Sequence, residues 1–348
     1  MVDRAGFLIV GIKGLEISPA ERDLLKHPAI AGVILFKHNY VNKLQLKELI
    51  DALHDIKRGL IVTVDQECRE VQVLKKDFTQ LPMPIEIGNY YDKDIEASTK
   101  LAYAYGVVIG AEMRDINIDL SYTPVLDMAH FGGVIGGRAF HSNPEVVIAL
   151  ASNMITGLHN SGLPACGKHF PGHGSVAGDT HTDKVFDNRT MSEIEAHDLY
   201  PYTRLIKNAF LDVVMLSHVI YSAVSDQPAS LSEYWIKSIL REQLDFNGLV
   251  CTDALEMVGC GDVHPTLLKQ ALDAGCDLLM FCHPSVSSLE QLLADFSDAE
   301  IEHYNRLSSQ HLAIIDTHIH NRVPLATKHY LTAVSAVEKF NSQSVNKH

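Results

Sequence analysis

Residues 60–67 read Leu-Ile-Val-Thr-Val-Asp-Gln-Glu, an apolar and mostly branched run of strand length that ends abruptly in polar side chains. Such runs are typical of strands that are buried on both faces of a parallel sheet. The same kind of run recurs along the chain, at Phe7–Ile12, Gly32–Phe36, Leu60–Val64, Ile118–Val125, Pro164–Gly167, Val213–Leu216, Leu249–Thr252 and Asp277–Phe281. The sequence therefore predicts eight strands.

Segments with helical spacing separate most of these runs. They are Ala20–His27, Lys43–Ile56, Ile95–Asp115, Pro144–Asn160, Met191–Asn208 and Tyr234–Leu244. Strands that alternate with helices predict an α/β fold with a closed parallel sheet, a single TIM-type (β/α)8 barrel. A doubly wound open sheet is the alternative, because periodicity does not decide closure. We expect the barrel to span residues 1–294, and residues 295–348 to form packing helices and a frayed tail.

Polar and ionisable side chains cluster directly after the apolar runs. They are Asp65-Gln66-Glu67, Asp127, Lys168-His169, Ser217-His218, Asp253 and His283. The carboxyl ends of the strands in a parallel barrel meet at one face, and catalytic groups lie there. Six runs that end in this way predict a shared active-site mouth.

Charge and cysteine placement limit the class of protein. The chain carries 29 Lys and Arg against 43 Asp and Glu, a formal charge of −14, with no basic stripe. This balance argues against nucleic acid or an anionic membrane as a partner.

The first apolar run is too short for a signal peptide or a membrane span. The six cysteines lack any C-x-x-C pair and lie mostly in apolar runs, which predicts buried free thiols and a cytoplasmic protein.

The segment Lys168–Asp183, KHFPGHGSVAGDTHTD, has the highest density of ionisable groups. Its glycines disfavour a helix, so we predict a loop that leaves the strand ending at Gly167. Three interpretations compete: a polar surface loop, a catalytic lid, or a metal site. In the lid, Asp179 would align His181 as general acid/base. The candidate metal ligands are His169, His173, His181, Asp179 and Asp183.

Asp253 follows the apolar run Leu249–Thr252 directly. A carboxylate at the end of a barrel strand can bind a hydroxyl group or act as a covalent nucleophile. An Asp in a strand-to-helix loop is also a common N-cap. The residues alone leave these alternatives open.

Taken together, the motifs resemble the glycoside hydrolase family 3 β-N-acetylglucosaminidases of bacterial peptidoglycan recycling. The most specific match is KHFPGHG at Lys168–Gly174, followed by Asp179-Thr-His181. Further matches are Cys251-Thr-Asp-Ala-Leu-Glu-Met257, Gly32-Val-Ile-Leu-Phe36, Val64-Asp-Gln-Glu67, Thr123-Pro-Val-Leu-Asp127, Ile135-Gly-Gly-Arg-Ala-Phe140 and Gln227-Pro-Ala-Ser230. The resemblance spans residues 7 to 284.

The resemblance implies a function and a set of site residues. It implies a retaining hydrolase that releases N-acetylglucosamine from its β-1,4 linkage to 1,6-anhydro-N-acetylmuramic acid, with or without a peptide. Asp253 would be the nucleophile and His181 the acid/base, with Asp179 as its partner. The sugar would be bound by Asp65, Arg138, Lys168 and His169. No metal or organic cofactor is expected, and a monomer would be sufficient.

One segment departs from the family pattern. The family reads D-Q-E-G-G-R-V-x-R-L, whereas this chain has Cys68, Arg69, Glu70 and Val73 in place of the two glycines and two arginines. Bulky residues at a barrel rim imply a reshaped loop, and an acid in place of a base changes the local field. Arg69 would be one way to restore the lost charge.

The alternative functions are a weakened barrel that senses muropeptides or amino sugars, a phosphorylase, and a metal-dependent hydrolase.

Overall fold

The eight apolar runs form the eight strands of a parallel sheet in the computed structural model, which describes residues 4–130 and 133–345. The strands are β1 Leu8–Gly11, β2 Ile30–Leu35, β3 Ile61–Val64, β4 Leu120–Ser121, β5 Cys166–Phe170, β6 Val213–Leu216, β7 Leu249–Ala254 and β8 Leu278–Phe281. Their order is β4-β3-β2-β1-β8-β7-β6-β5, and every neighbouring pair is parallel.

Backbone hydrogen bonds between the segment after β4 and strand β5 close this sheet. The N–H of Cys166 donates to the carbonyl of Thr123, and the N–H of Leu126 donates to the carbonyl of Lys168, both at 2.8 Å. Val125 and Lys168 form a parallel bridge. The predicted TIM-type barrel is therefore confirmed, and the open-sheet alternative is wrong.

Two strands differ from the sequence prediction by three residues or more at one boundary. β4 covers only Leu120 and Ser121, and Thr123 and Leu126 beyond it form backbone hydrogen bonds with β5. β5 continues past Gly167 to Phe170, whose carbonyl accepts a hydrogen bond from Ser217 N–H at 2.8 Å. Lys168 and His169 were expected on a loop, but they lie in this strand.

Helices surround the barrel. They are α1 Pro19–Leu25, α2 Lys43–His54, α3 Pro84–Tyr91, α4 Ile95–Asp115, α5 Pro144–His159, α6 Met191–Ala196, α7 Leu199–Lys207, α8 Pro265–Ala274, α9 Val286–Ala294, α10 Asp298–Leu312 and α11 Lys328–Val345, with a π-helix at Tyr234–Gln243. The single helix predicted over 191–208 is broken at His197 and Asp198. Asp198 turns inward there, and its buried carboxylate accepts a hydrogen bond from Arg189 Nη1 at 2.6 Å.

The C-terminal segment closes the end of the barrel at which the strands begin. Leu312 and Ile315 pack in one buried cluster with interior side chains of the barrel such as Ile9 and Val213. Helix α11 lies against α4, where Tyr330 Oη donates to a carboxylate oxygen of Glu112 at 2.8 Å. The helix continues to Val345, so helical structure reaches the end of the described residues. Residues 346–348 lie outside them.

Two further expectations concern the cysteines and membranes. All six cysteines are buried and free, as predicted. Within the described residues, no helix is long and apolar enough to cross a membrane.

Candidate active site

A cavity of about 360 Å³ opens at the face of the barrel where the strands end. It is lined by Asp65, Glu70, Val71, Gly133, Val134, Arg138, Lys168, His169, His181, Met215 and Asp253. Six of the seven predicted site residues are in this set, and the seventh, Asp179, is hydrogen-bonded to His181. The structure therefore brings all seven together.

Asp253 lies on β7 at the floor of the cavity. Its Oδ1 accepts a hydrogen bond from Ala254 N–H at 2.8 Å, and its Oδ2 lies 3.9 Å from His169 Nε2. Burial by itself would raise the pKa of Asp253, but His169, His218, the Ala254 N–H and Lys168 together hold it below its ordinary value. Asp253 is therefore an ionised carboxylate, and 19% of its side chain remains exposed to the cavity.

His169 is held in place by a buried carboxylate. Its Nδ1 lies 2.6 Å from Oδ2 of Asp127. The other oxygen of this carboxylate, Oδ1, accepts hydrogen bonds from the backbone N–H groups of His169 and His173. Burial would raise the pKa of Asp127, but His169 and His173 lower it overall. A carboxylate bonded to Nδ1 fixes the ring so that Nε2 faces Asp253.

Lys168 and Arg138 share a second buried carboxylate, Glu67. Glu67 receives Arg138 Nε and Nη2 at 2.7 and 2.9 Å and Lys168 Nζ at 2.8 Å. Lys168 also contacts Asp65 Oδ1 at 2.9 Å. Burial alone would raise the pKa of Glu67, but Arg138 and Lys168 hold it well below its ordinary value. The floor of the cavity is thus a fixed network of alternating charges.

His181 and Asp179 form a pair at the cavity mouth. Asp179 Oδ1 lies 2.7 Å from His181 Nδ1 and accepts the His181 N–H at 2.9 Å. The pair is solvated, with 58% of the His181 side chain and 40% of the Asp179 side chain exposed. Burial by itself would raise the pKa of Asp179, but the contacts with His181 and the nearby His173 together lower it below its ordinary value.

Thr180 anchors the loop that carries this pair. Thr180 is buried, its Oγ1 lies 3.3 Å from His173 Nε2, and its carbonyl accepts the Gly259 N–H at 2.9 Å. Earlier in the same loop, Gly174 lies so close to Met128 that a Cβ at this position would be 1.9 Å from the Met128 carbonyl oxygen. Only glycine fits there, which explains the second glycine of the KHFPGHG motif.

The candidate metal ligands of the segment Lys168–Asp183 do not converge on one point. His169, His173 and His181 each contact a different partner, namely Asp127, Thr180 and Asp179. In the part of the chain that the structure describes, one group of His, Cys, Asp or Glu side chains is close enough together to bind a metal ion. It lies outside this segment, at His159, Asp212 and His318. The geometry therefore favours a catalytic pair over a metal-binding loop.

Comparison with known proteins identifies the family. A model of the glycosyl hydrolase family 3 N-terminal domain matches residues 5–311. The chain belongs to glycosyl hydrolase family 3. It is 41% identical over 308 residues to the β-hexosaminidase of Pasteurella multocida, covering 88% of this chain and 87% of that protein.

Solved structures agree with this family 3 assignment. Native NagZ from Neisseria gonorrhoeae superposes with a TM-score of 0.88 at 34% identity, covering 97% of this chain and 98% of that one. The same NagZ in complex with N-trifluoroacetyl-D-glucosamine gives a TM-score of 0.84 at 33% identity with the same coverage. The predicted family and enzyme class, a glycoside hydrolase of the β-N-acetylhexosaminidase type, are confirmed.

The segment that departs from the family 3 pattern is well accommodated. Cys68 is fully buried with its Sγ 3.7 Å from Glu67 Oε1, and burial next to Glu67 raises the pKa of the thiol to about 12. Arg69 pairs with Glu86 of α3 at 2.5 Å. Arg69 does not line the cavity and so does not restore the lost charge there. Glu70 is exposed and lines the cavity.

Sequence reasoning about this family 3 site missed the supporting carboxylates and one histidine. Glu67 and Asp127 were noted as polar strand ends and as parts of family motifs without a role, yet they hold the three basic groups on the cavity floor. His218 is buried, and its Nε2 lies 3.0 Å from the Ala254 carbonyl, an acceptor, while its Nδ1 lies 2.7 Å from Ser230 Oγ. The available signals were position at the end of a strand and, for Glu67 and Asp127, membership of a family motif.

Proposed function

We propose that this chain is a retaining exo-β-N-acetylglucosaminidase. Its substrate would be N-acetylglucosamine linked to 1,6-anhydro-N-acetylmuramic acid, with or without a peptide, in the cytoplasm. The observation that carries the proposal is one cavity lined by an ionised carboxylate, Asp253, and by the mouth histidine His181. The family, and relatives called β-hexosaminidases, support N-acetylhexosaminides as the substrate class.

In the first step, Asp253 Oδ2 attacks the anomeric carbon from below the sugar ring. The bond to the aglycone oxygen breaks, and His181 donates its Nε2 proton to that oxygen. Asp179, on Nδ1, orients the ring and stabilises its charged form. The product is a glycosyl ester of Asp253.

In the second step, water attacks the same carbon from the opposite face. His181, now neutral, takes the proton from that water, and Asp253 leaves as a carboxylate. Two inversions give net retention, so the sugar is released as its β-anomer. His181 serves both steps because its exposed side chain at the mouth is accessible to the aglycone oxygen and then to water.

The charged floor would bind the sugar. Asp65 and Lys168 line the cavity with oppositely charged groups in contact, so hydroxyl groups can both donate and accept there. Arg138 and His169 supply further donors whose orientation is fixed by Glu67 and Asp127. Such a preorganised network lowers the cost of positioning the sugar.

The direct test is hydrolysis of p-nitrophenyl N-acetyl-β-glucosaminide and of the anhydro-disaccharide, with the first-formed anomer followed by NMR. We expect turnover of both and β-N-acetylglucosamine as the initial product. An initial α-anomer would contradict the retaining mechanism. Binding of the sugar without any turnover would favour the sensor. N-acetylglucosamine 1-phosphate formed in phosphate buffer would favour the phosphorylase.

Removing metal ions should not affect hydrolysis. After dialysis against excess EDTA, kcat/KM should equal that of the untreated enzyme, because the nucleophile and the acid/base are protein side chains. Assays with and without added Zn²⁺ after dialysis check this. Loss of activity that returns with Zn²⁺ would support the metal-dependent hydrolase.

Glu70→Arg should raise kcat/KM for the N-acetylglucosaminide by about 3- to 10-fold, roughly one hydrogen bond's contribution. The change replaces an exposed acceptor in the cavity with a donor for sugar hydroxyls and leaves the Arg69–Glu86 pair intact. Glu242→Arg, an equal charge change at an exposed position on the π-helix, is the control and should have no effect. An unchanged or lower kcat/KM for Glu70→Arg would show that the absence of the family arginine at position 70 does not limit hydrolysis.

A further inference from the structure

A second cluster of ionisable groups lies at the opposite end of the barrel from the active site. It consists of His159 at the end of α5, Asp212 just before β6, and His318 in the turn after α10. Asp212 Oδ2 accepts the N–H of Ala165, just before β5, at 2.8 Å. The cluster therefore joins the starts of two barrel strands to the C-terminal segment.

Both histidines direct the same nitrogen at the same carboxylate. His159 Nε2 lies 2.6 Å from Asp212 Oδ2, and His318 Nε2 lies 3.0 Å from Asp212 Oδ1. The two rings are stacked, with centroids 3.7 Å apart and planes 12° apart. One nitrogen of each histidine and a carboxylate oxygen of Asp212 all lie within 4.8 Å of one another.

Two other aspartates also directly precede a barrel strand, but their partners differ from those of Asp212. Asp119 before β4 is paired with Arg4 and Arg114, and Asp277 before β8 is paired with Arg241 and His311. A guanidinium cannot bind a metal ion. Asp212, in contrast, is contacted by two imidazoles and by no arginine among the described residues.

We propose that His159, Asp212 and His318 bind a divalent transition-metal ion such as Zn²⁺. Two imidazole nitrogens and one carboxylate oxygen are ligands that zinc prefers, and a water molecule would complete a tetrahedral set. The ion would take the place of the hydrogen bonds between the two Nε2 atoms and Asp212, with the ring proton of each neutral imidazole on Nδ1. The Ala165 N–H holds the carboxylate in the orientation that binding requires.

The bound ion has a structural role. His318 follows Leu312 and Ile315, which close the end of the barrel, whereas His159 and Asp212 belong to the barrel itself. A metal bridge thus fixes the C-terminal segment against the barrel. The site is at the face opposite the catalytic cavity, so it is independent of hydrolysis.

Zinc titration of the metal-free full-length protein tests this site. Metal content after dialysis against Zn²⁺ and the melting temperature are measured for wild type, His318→Ala, His159→Ala and His181→Ala. His320→Ala, an exposed histidine in the same turn, is the matched control. Each variant is compared with its own metal-free form, so any intrinsic loss of stability cancels.

At a hundredfold excess of Zn²⁺ over the dissociation constant, wild type should melt roughly 4 °C higher than its metal-free form. His320→Ala and His181→Ala should keep this rise, while His318→Ala and His159→Ala should lose it together with one bound ion. No zinc binding by wild type, or an unchanged rise in both cluster variants, would overturn the proposal. Should one cluster variant fail to fold, Asp212→Asn, which is isosteric, provides the same comparison.

Discussion

Replacing Asp253 with Ala should lower kcat for p-nitrophenyl N-acetyl-β-glucosaminide by at least about 10⁴-fold, because the reaction loses its covalent route. Asp253 is ionised and exposed to the cavity, with Oδ1 occupied by the Ala254 N–H and Oδ2 facing His169. The variant should still fold, since within the described residues the Asp253 carboxylate accepts one backbone hydrogen bond and lies 3.9 Å from its ionic partner His169. Steady-state kinetics with matched circular dichroism spectra measure the effect.

Azide gives this prediction a chemical control. In Asp253→Ala, azide can occupy the space of the missing carboxylate, attack from below the ring and give the α-glycosyl azide. Asp183→Ala, an exposed acid on the same loop as the catalytic pair, should retain wild-type activity. Substantial kcat in Asp253→Ala without azide would assign the nucleophile to another group.

Replacing His181 with Ala should reduce kcat/KM for the anhydro-disaccharide by about 10²- to 10⁴-fold, the usual contribution of general acid/base catalysis. The effect should be smaller for p-nitrophenyl substrates, whose leaving group needs little protonation. This dependence on the leaving group separates an acid from a residue that only binds sugar, because loss of a binding residue weakens both substrates alike. A series of aryl glycosides of different leaving-group pKa provides the measurement.

Two variants serve as controls for His181. His283→Ala removes an exposed histidine that follows β8 and does not line the cavity, so it should have no effect. Asp179→Asn should reproduce part of the loss, since it removes the charge that supports the His181 imidazolium. In His181→Ala, azide should give the β-glycosyl azide from the covalent intermediate. An equal loss for good and poor leaving groups would contradict the acid/base role.

The barrel could be predicted from the sequence because each strand is a compact apolar run with its own boundaries. Val213–Leu216 and Ile95–Asp115 are found as predicted. Local sequence patterns give wrong element boundaries where contacts between distant segments determine those boundaries. The segment after Tyr122 bonds to β5, and the helical pattern over 191–208 breaks because the Asp198 carboxylate is drawn inward to Arg189. Neither contact has a signature in the neighbouring residues.

The candidate site was predictable to the extent that its residues carry motifs. All seven predicted residues meet at one cavity, yet their roles stay predictions until they are measured. Glu67 and Asp127 could not be assigned, because a buried carboxylate that fixes a base looks, in sequence, like any other polar strand end. The suggested compensation by Arg69 is wrong for a similar reason: its partner, Glu86, lies on a helix that was not predicted.

The division of the chain into a barrel over 1–294 and an extension over 295–348 also stays a prediction. The boundary coincides with the end of α9 at Ala294. The extension closes the barrel through Leu312 and Ile315 and is tied to it by the ion pair between Arg4 and Asp316 at 2.8 Å. These contacts indicate that the extension stabilises the barrel.

Peptide mapping of a trapped intermediate tests whether hydrolysis passes through a covalent bond to Asp253. The His181→Ala enzyme is incubated with a 5-fluoro N-acetylglucosaminyl fluoride, digested with protease and analysed by mass spectrometry. We predict one added sugar per chain, located on the peptide that contains Cys251–Met257 and assigned by fragmentation to Asp253. A sugar on any other residue, or continued turnover of this reagent with no adduct at all, would contradict the account.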